Sequence, residues 1–132
     1  MTKPNDVEEA KNIFGNELVS CSTEPITGFY RDGCCNTGPM DNGTHTVCAK
    51  MTQEFLDFTL SKGNDLSTPR PEWNFSGLKA GDYWCLCVLR WLEAHVNDCA
   101  PSLRLEACHI KTLEYVPLNT LMDYKLTEEH AA

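Results

Sequence analysis

The sequence predicts an α+β domain with a small, mainly antiparallel sheet, a few short helices and long ordered loops. Three observations carry that reading. Stretches of strand period and of helix period mix without a βαβ rhythm, so a parallel sheet is not expected. Segments 22–46 and 62–82 lack periodicity and are punctuated by Gly, Pro, Asp32-Gly33 and Asn42-Gly43. The 132 residues suffice for one core, because at that length about two-thirds of the unfolded chain's surface can be buried. A single domain over 1–132 is expected, with 1–15 and 126–132 as the segments free to be mobile.

The elements follow in order. Residues 5–15 read either as a short helix or as a mobile terminus. Asn5 is a fair N-cap, Glu8 stands three residues on, and Gly15 would end the turn. Thr46–Met51 is short and β-prone. Thr52 then caps a helix whose inner side carries Phe55, Leu56, Phe58, Thr59 and Leu60, and Gly63 stops it. The 62–82 loop holds Trp73 and Phe75, which offer large apolar area to anchor it.

Asp82–Asn97 fits two periods. As a strand it puts Tyr83, Cys85, Cys87, Leu89 and Trp91 on one face; as a helix it lines up Trp84, Val88, Trp91 and His95. Gly81-Asp82 before a β-rich run favours a strand to about Trp91. Leu103–Cys108 alternates as a second strand and Thr112–Val116 as a third. Pro117 suits the first turn of a closing helix bearing Leu118, Leu121, Met122 and Lys125.

Charge excludes some partners. Eleven Lys and Arg against 19 Asp and Glu leave a net charge of −8. Nucleic acid and anionic membrane surfaces both need a positive field, so neither is expected as a partner. The longest apolar run, Trp84–Leu89, is far short of the roughly 20 residues a spanning helix needs. The first 15 residues lack an apolar secretory core, so the chain is expected in the cytoplasm with all eight cysteines reduced. Gly-x-Gly-x-x-Gly, P-loop, His-Glu-x-x-His and Gly-x-Ser-x-Gly motifs do not occur.

The polar chemistry is densest at Arg31-Asp32-Gly33-Cys34-Cys35, followed by His45 and Cys48. Arg31 would stabilise a neighbouring thiolate and Asp32 would oppose it. One thiol of the Cys34/Cys35 pair is expected as a reactive centre, with His45 as proton acceptor or second ligand. The two are not expected to bridge each other, because adjacent Cα atoms are too close for an unstrained disulfide. On a strand, Cys85 and Cys87 would point to one face and, with Cys48, could share zinc or another thiophilic metal. The competing reading makes these thiols small core hydrophobes. Asp65, Ser67 and Thr68 could hold a polar ligand or simply build a turn. His95 and His109 read as hydrogen-bonded structural residues, His130 as solvated, and Cys99 and Cys108 as packing.

Four segments carry a resemblance: Thr27-Gly28-Phe29-Tyr30-Arg31-Asp32-Gly33-Cys34-Cys35, His45-Thr46-Val47-Cys48-Ala49, Gly63-Asn64-Asp65-Leu66-Ser67-Thr68-Pro69, and Gly81-Asp82-Tyr83-Trp84-Cys85-Leu86-Cys87 with Arg90-Trp91. They resemble a family of small bacterial proteins, domain of unknown function 2237, from about Cys21 to Leu121. That resemblance implies no particular activity, substrate or cofactor.

Two functions remain open on the sequence. One is a thiol-based enzyme or redox protein using Arg31, Asp32, Cys34, Cys35 and His45. The other is a non-catalytic domain with a structural metal or buried packing thiols, its acidic surface meeting a protein partner. The Cys34/Cys35, Cys48 and Cys85/Cys87 segments are expected to meet in space, since small domains gather sites on loops held by a rigid scaffold.

Overall fold

The structure, a computed structural model, describes residues 10–126. Two antiparallel strands form its centre: β1, His45–Lys50, and β2, Tyr83–Cys87. Cys48 faces Cys85 and Ala49 faces Trp84. The register shifts between His45 and Val47, so His45 faces Cys87 while Val47 faces Leu86. The extra residue is Thr46, and such a bulge re-aims the side chains beside it.

Helix α1, Gln53–Ser61, forms as the sequence predicts. Thr52 accepts the Phe55 N–H in its hydroxyl, and Gly63 follows with φ of 92°. Phe55, Leu56 and Thr59 are buried and Phe58 is partly so, whereas Leu60 faces solvent. The ambiguous 82–97 segment is both of its readings in succession. The strand ends at Cys87 and helix α2, Val88–Val96, starts at the next residue. Val88, Trp91 and Ala94 form its buried side, at the 3.6-residue period the strand reading ignored. Trp91 is fully buried and donates its indole N–H to Pro101 O at 3.1 Å.

The second and third strands are not there. Leu105–Ala107 and Ile110–Glu114 are 3₁₀ turns, and only Leu103 bridges Ala49 and Lys125. Alternation within 103–108 reports burial of Leu103, Leu105, Ala107 and Cys108 under the sheet rather than pairing. A short helix α3, Leu118–Met122, follows Pro117 and buries Leu121. Leu126 is docked by its N–H on Leu103 O at 3.0 Å, so the closing segment is held up to that residue.

Residues 10–15 are not helical: Lys11 bridges Glu17 and Asn12 bridges His109. Asn12 is buried and its side chain ties Phe14, Asn16, Glu17 and Glu106 together. The expectation for residues 5–9, and for His130, lies outside the described residues. In the 62–82 loop, Phe75 is the anchor, its ring 5.3 Å from that of Trp84. Trp73 is not; it stands 66 % exposed. Among the described residues no helix is long and apolar enough to cross a membrane.

Candidate functional site

Four cysteines meet where the 20–36 loop lies on the strand pair. Cys21 is bonded to Cys48 and Cys35 to Cys85, with Cα separations of 5.6 and 5.2 Å. These fall in the ordinary disulfide range. The loop is shaped for this by its own backbone. Gly33 donates to Thr27 O at 2.9 Å, and Gly33 O takes the N–H groups of Cys21 and Ser22. Gly28, at φ 99°, has no room for a Cβ against Cys34 O. Because Cys48 and Cys85 face each other across the sheet, the two disulfides lie side by side. The sulfurs of Cys21, Cys35 and Cys85 are all within 4.8 Å of one another, and all three residues are buried.

The expectation of eight reduced thiols is thereby corrected. Four cysteines are paired, and Cys34, Cys87, Cys99 and Cys108 are free. Sequence spacing weighed only near neighbours, whereas these pairs close loops of 27 and 50 residues. The expected convergence of the Cys34/Cys35, Cys48 and Cys85/Cys87 segments is what the fold produces. Cys85 and Cys87 do not act as a pair: Cys85 bonds Cys35, while Cys87 precedes the first turn of α2. Cys99 and Cys108 are buried, and burial pushes the Cys108 thiol up to about 12.

Beside the disulfides, His45 is held by Asp41. The Asp41 side chain is buried. Burial alone would raise its carboxyl, but hydrogen bonds from the His45 N–H, the imidazole and the Thr37 hydroxyl outweigh this and hold it below its ordinary value. An ionised carboxylate only accepts, so His45 Nδ1–H is the donor, at 2.6 Å to Asp41 Oδ1. In the neutral ring this tautomer leaves Nε2 as the acceptor.

Local backbone fixes this pair. Thr44 sits at φ 49°, a left-handed conformation that is unusual for a β-branched residue and costs about 1–3 kcal/mol. It is held there by Asp41 O accepting its N–H at 3.1 Å and by its own carbonyl accepting the Val88 N–H. Gly43 is required for space: a Cβ would lie 2.5 Å from His45 Cε1.

A cavity of about 360 Å³ joins the two features. Its walls include Phe29, Arg31, His45, Leu66, Trp84 and Cys85. Phe29 stacks on the His45 ring at 6.3 Å. Arg31, at φ 56°, lays its guanidinium 5.2 Å from the Trp84 ring centre and donates to Gly28 O at 3.3 Å. It therefore serves the cavity wall and not a neighbouring thiolate. Cys34 accordingly lies above its ordinary value, raised by burial and by the Asp32 charge, with only the Ser20 hydroxyl opposing. Asp32 caps the turn, accepting the Cys34 N–H and the Asn36 amide at 3.0 Å each.

Asp65, Ser67 and Thr68 form a turn at the surface, in which Asp65 Oδ1 accepts both following N–H groups at 3.0 and 3.1 Å. Leu66, between them, is the residue that reaches the cavity. His95 Nδ1 lies 2.7 Å from the Tyr124 hydroxyl and His109 Nδ1 accepts the Lys111 N–H, both structural. Sequence reasoning missed Asp41, Gly43 and Cys21 as site residues. The signal for the first was present: a carboxylate four residues before His45 across an Asn-Gly turn.

Fold and site together define a small, cysteine-rich α+β protein. Residues 11–125 match the family described as uncharacterized protein conserved in bacteria (DUF2237), and the chain belongs to that family. No curated protein matches it.

Proposed function

We propose that the protein is a thiol–disulfide redox protein acting on small thiols that enter the cavity. One observation carries the reading: Cys85, bonded to Cys35, and His45, bonded to Asp41, line the same cavity. Cys85 is 1 % exposed, so what reaches its sulfur must fit that space, which favours a small molecule over a protein thiol. His45 Nε2 takes the proton of an incoming thiol, and Asp41 stabilises the imidazolium. The thiolate attacks the Cys85 sulfur and Cys35 leaves as a thiolate. A second substrate thiolate attacks the substrate sulfur of the mixed disulfide and releases Cys85. Two thiols become one small disulfide, their two electrons reduce the Cys35–Cys85 bond, and their two protons end on the cysteines. Arg31 at the wall suits a substrate carrying a carboxylate.

The protein is read as cytoplasmic, a compartment where disulfides are usually transient and catalytic or redox-sensing. The net charge of −8 argues against nucleic acid as a partner. The test is the rate at which cysteine or glutathione opens Cys35–Cys85 in the folded protein, followed by quench alkylation and mass mapping. A mixed disulfide on Cys85, formed about 10²-fold or more slowly in His45→Gln, is expected. A bond that opens only when the protein unfolds overturns the reading.

A further inference from the structure

The second disulfide has no part in that cycle, yet it lies against the first. Sulfurs of Cys21, Cys35 and Cys85 already lie within 4.8 Å of one another, and Cys48 is bonded to Cys21 and faces Cys85 across the sheet. A zinc ion bound by four thiolates at about 2.3 Å needs sulfurs about 3.8 Å apart, at the corners of a tetrahedron. Two of the donors come from adjacent strands and two from one overlying loop. All four are at most 2 % exposed, and four protein thiolates would fill the coordination shell, as in structural zinc sites. The centre would carry two negative charges, and a cation stands beside it: Arg104 Nη1 donates to Cys21 O at 3.1 Å.

We propose that the reduced protein holds one zinc ion between Cys21, Cys35, Cys48 and Cys85, so that two disulfides and one tetrathiolate centre are alternative states of the same four sulfurs. The proposal rests on the opening of Cys35–Cys85 argued above and adds the opening of Cys21–Cys48 and the metal. Two molecules of a small dithiol supply four electrons and four protons and leave as cyclic disulfides. The four thiols then bind Zn²⁺ and release four protons. Oxidation by two equivalents of a small disulfide reverses the electron flow and expels the ion. Cys34 and Cys87 are outside the set, one on the rim of the loop and the other at the start of α2.

The experiment uses the full chain. It is reduced anaerobically with a small dithiol, freed of reductant, and its thiols counted by alkylation and mass. Zn²⁺ is then titrated against a chromophoric chelator, and Co²⁺ is added to a parallel sample. Expected are eight thiols, one zinc per chain with four protons released, and a cobalt spectrum with thiolate charge transfer and tetrahedral d–d bands. Cys48→Ser should weaken zinc binding by more than about 100-fold, beyond what loss of an outer-shell partner costs, while Cys34→Ser and Cys87→Ser leave it unchanged. Should Cys48→Ser fail to fold, proton count and charge-transfer intensity in the unaltered chain decide the ligand number. Eight thiols without stoichiometric zinc, or zinc bound equally well by Cys48→Ser, overturns the metal site and leaves the redox reading standing. Six thiols with Cys21–Cys48 still closed overturns the metal site alone, and a Cys35–Cys85 bond that stays closed overturns both.

Discussion

Asp41 accepts two hydrogen bonds from the same residue, His45: its imidazole at Oδ1, 2.6 Å, and its backbone N–H at Oδ2, 2.9 Å. One buried carboxylate thus sets the ring's orientation, its tautomer and the turn that carries it. Asp41→Asn keeps the shape and loses the charge. It should cost about 1.5–3 kcal/mol, the range for hydrogen bonds to a charged group, and slow the opening of Cys35–Cys85 by thiols. Urea unfolding and alkylation kinetics check the two effects separately.

The same pair gives a pH dependence. The Asp41 carboxyl lies below its ordinary value in the folded protein, so between the two values the unfolded chain binds the extra proton. The pair's contribution is full above the ordinary carboxylate range, about pH 4, and is lost as pH falls through the folded value. Acid unfolding curves should show this loss in the natural protein and lack it in Asp41→Asn. Parallel curves would contradict it.

Gly43→Ala tests positioning without touching chemistry. The new Cβ would meet His45 Cε1 at 2.5 Å, so the ring must move while the charges stay. A displacement of about 1 Å can cost a factor of about 10² in a positioned reaction. Circular dichroism should be unchanged and thiol reactivity depressed; unchanged reactivity would remove His45 from the reaction.

Cys34 should alkylate as a sluggish thiol, with its rate rising only above the ordinary thiol range, because burial and Asp32 both oppose its thiolate. Arg31→Ala should leave that profile where it is, since the guanidinium lies over Trp84. A marked upward shift in the variant would show that Arg31 reaches the thiol after all.

Cys108 predicts behaviour in base. Its thiol is pushed up to about 12 by burial, so above about pH 8.5 the unfolded chain gives up a proton that the folded one keeps. Stability should therefore fall between about pH 9 and 12, by up to about 1.4 kcal/mol per pH unit, and Cys108→Ala should remove that slope. Equal slopes in both proteins would contradict it.

What the sequence made legible follows from locality. Thr52, Phe55 and Gly63 mark α1 because cap, inner face and stop all lie within one short window. Asp82–Asn97 was unreadable as one element since it is two, and the change at Cys87–Val88 leaves no Gly or Pro behind. Leu103–Cys108 alternates in burial without pairing, which a period-2 pattern does not distinguish from a strand. The site was half legible. Arg31, Cys35, His45 and Cys85 gather as expected, but which sulfur bonds which depends on contacts 27 and 50 residues apart. Asp41 was hidden by its setting, an acidic residue in a turn, where solvated carboxylates are ordinary.

The most direct test of the redox account is the equilibrium potential of Cys35–Cys85. The folded protein is brought to equilibrium in a series of glutathione buffers, quenched by acid, alkylated and mapped by mass at Cys35 and Cys85. The account predicts a midpoint within the span of working thiol–disulfide proteins, about −270 to −120 mV, reached without loss of the folded signal. A midpoint below about −300 mV, the range of structural disulfides, would contradict it and leave the bond as a staple.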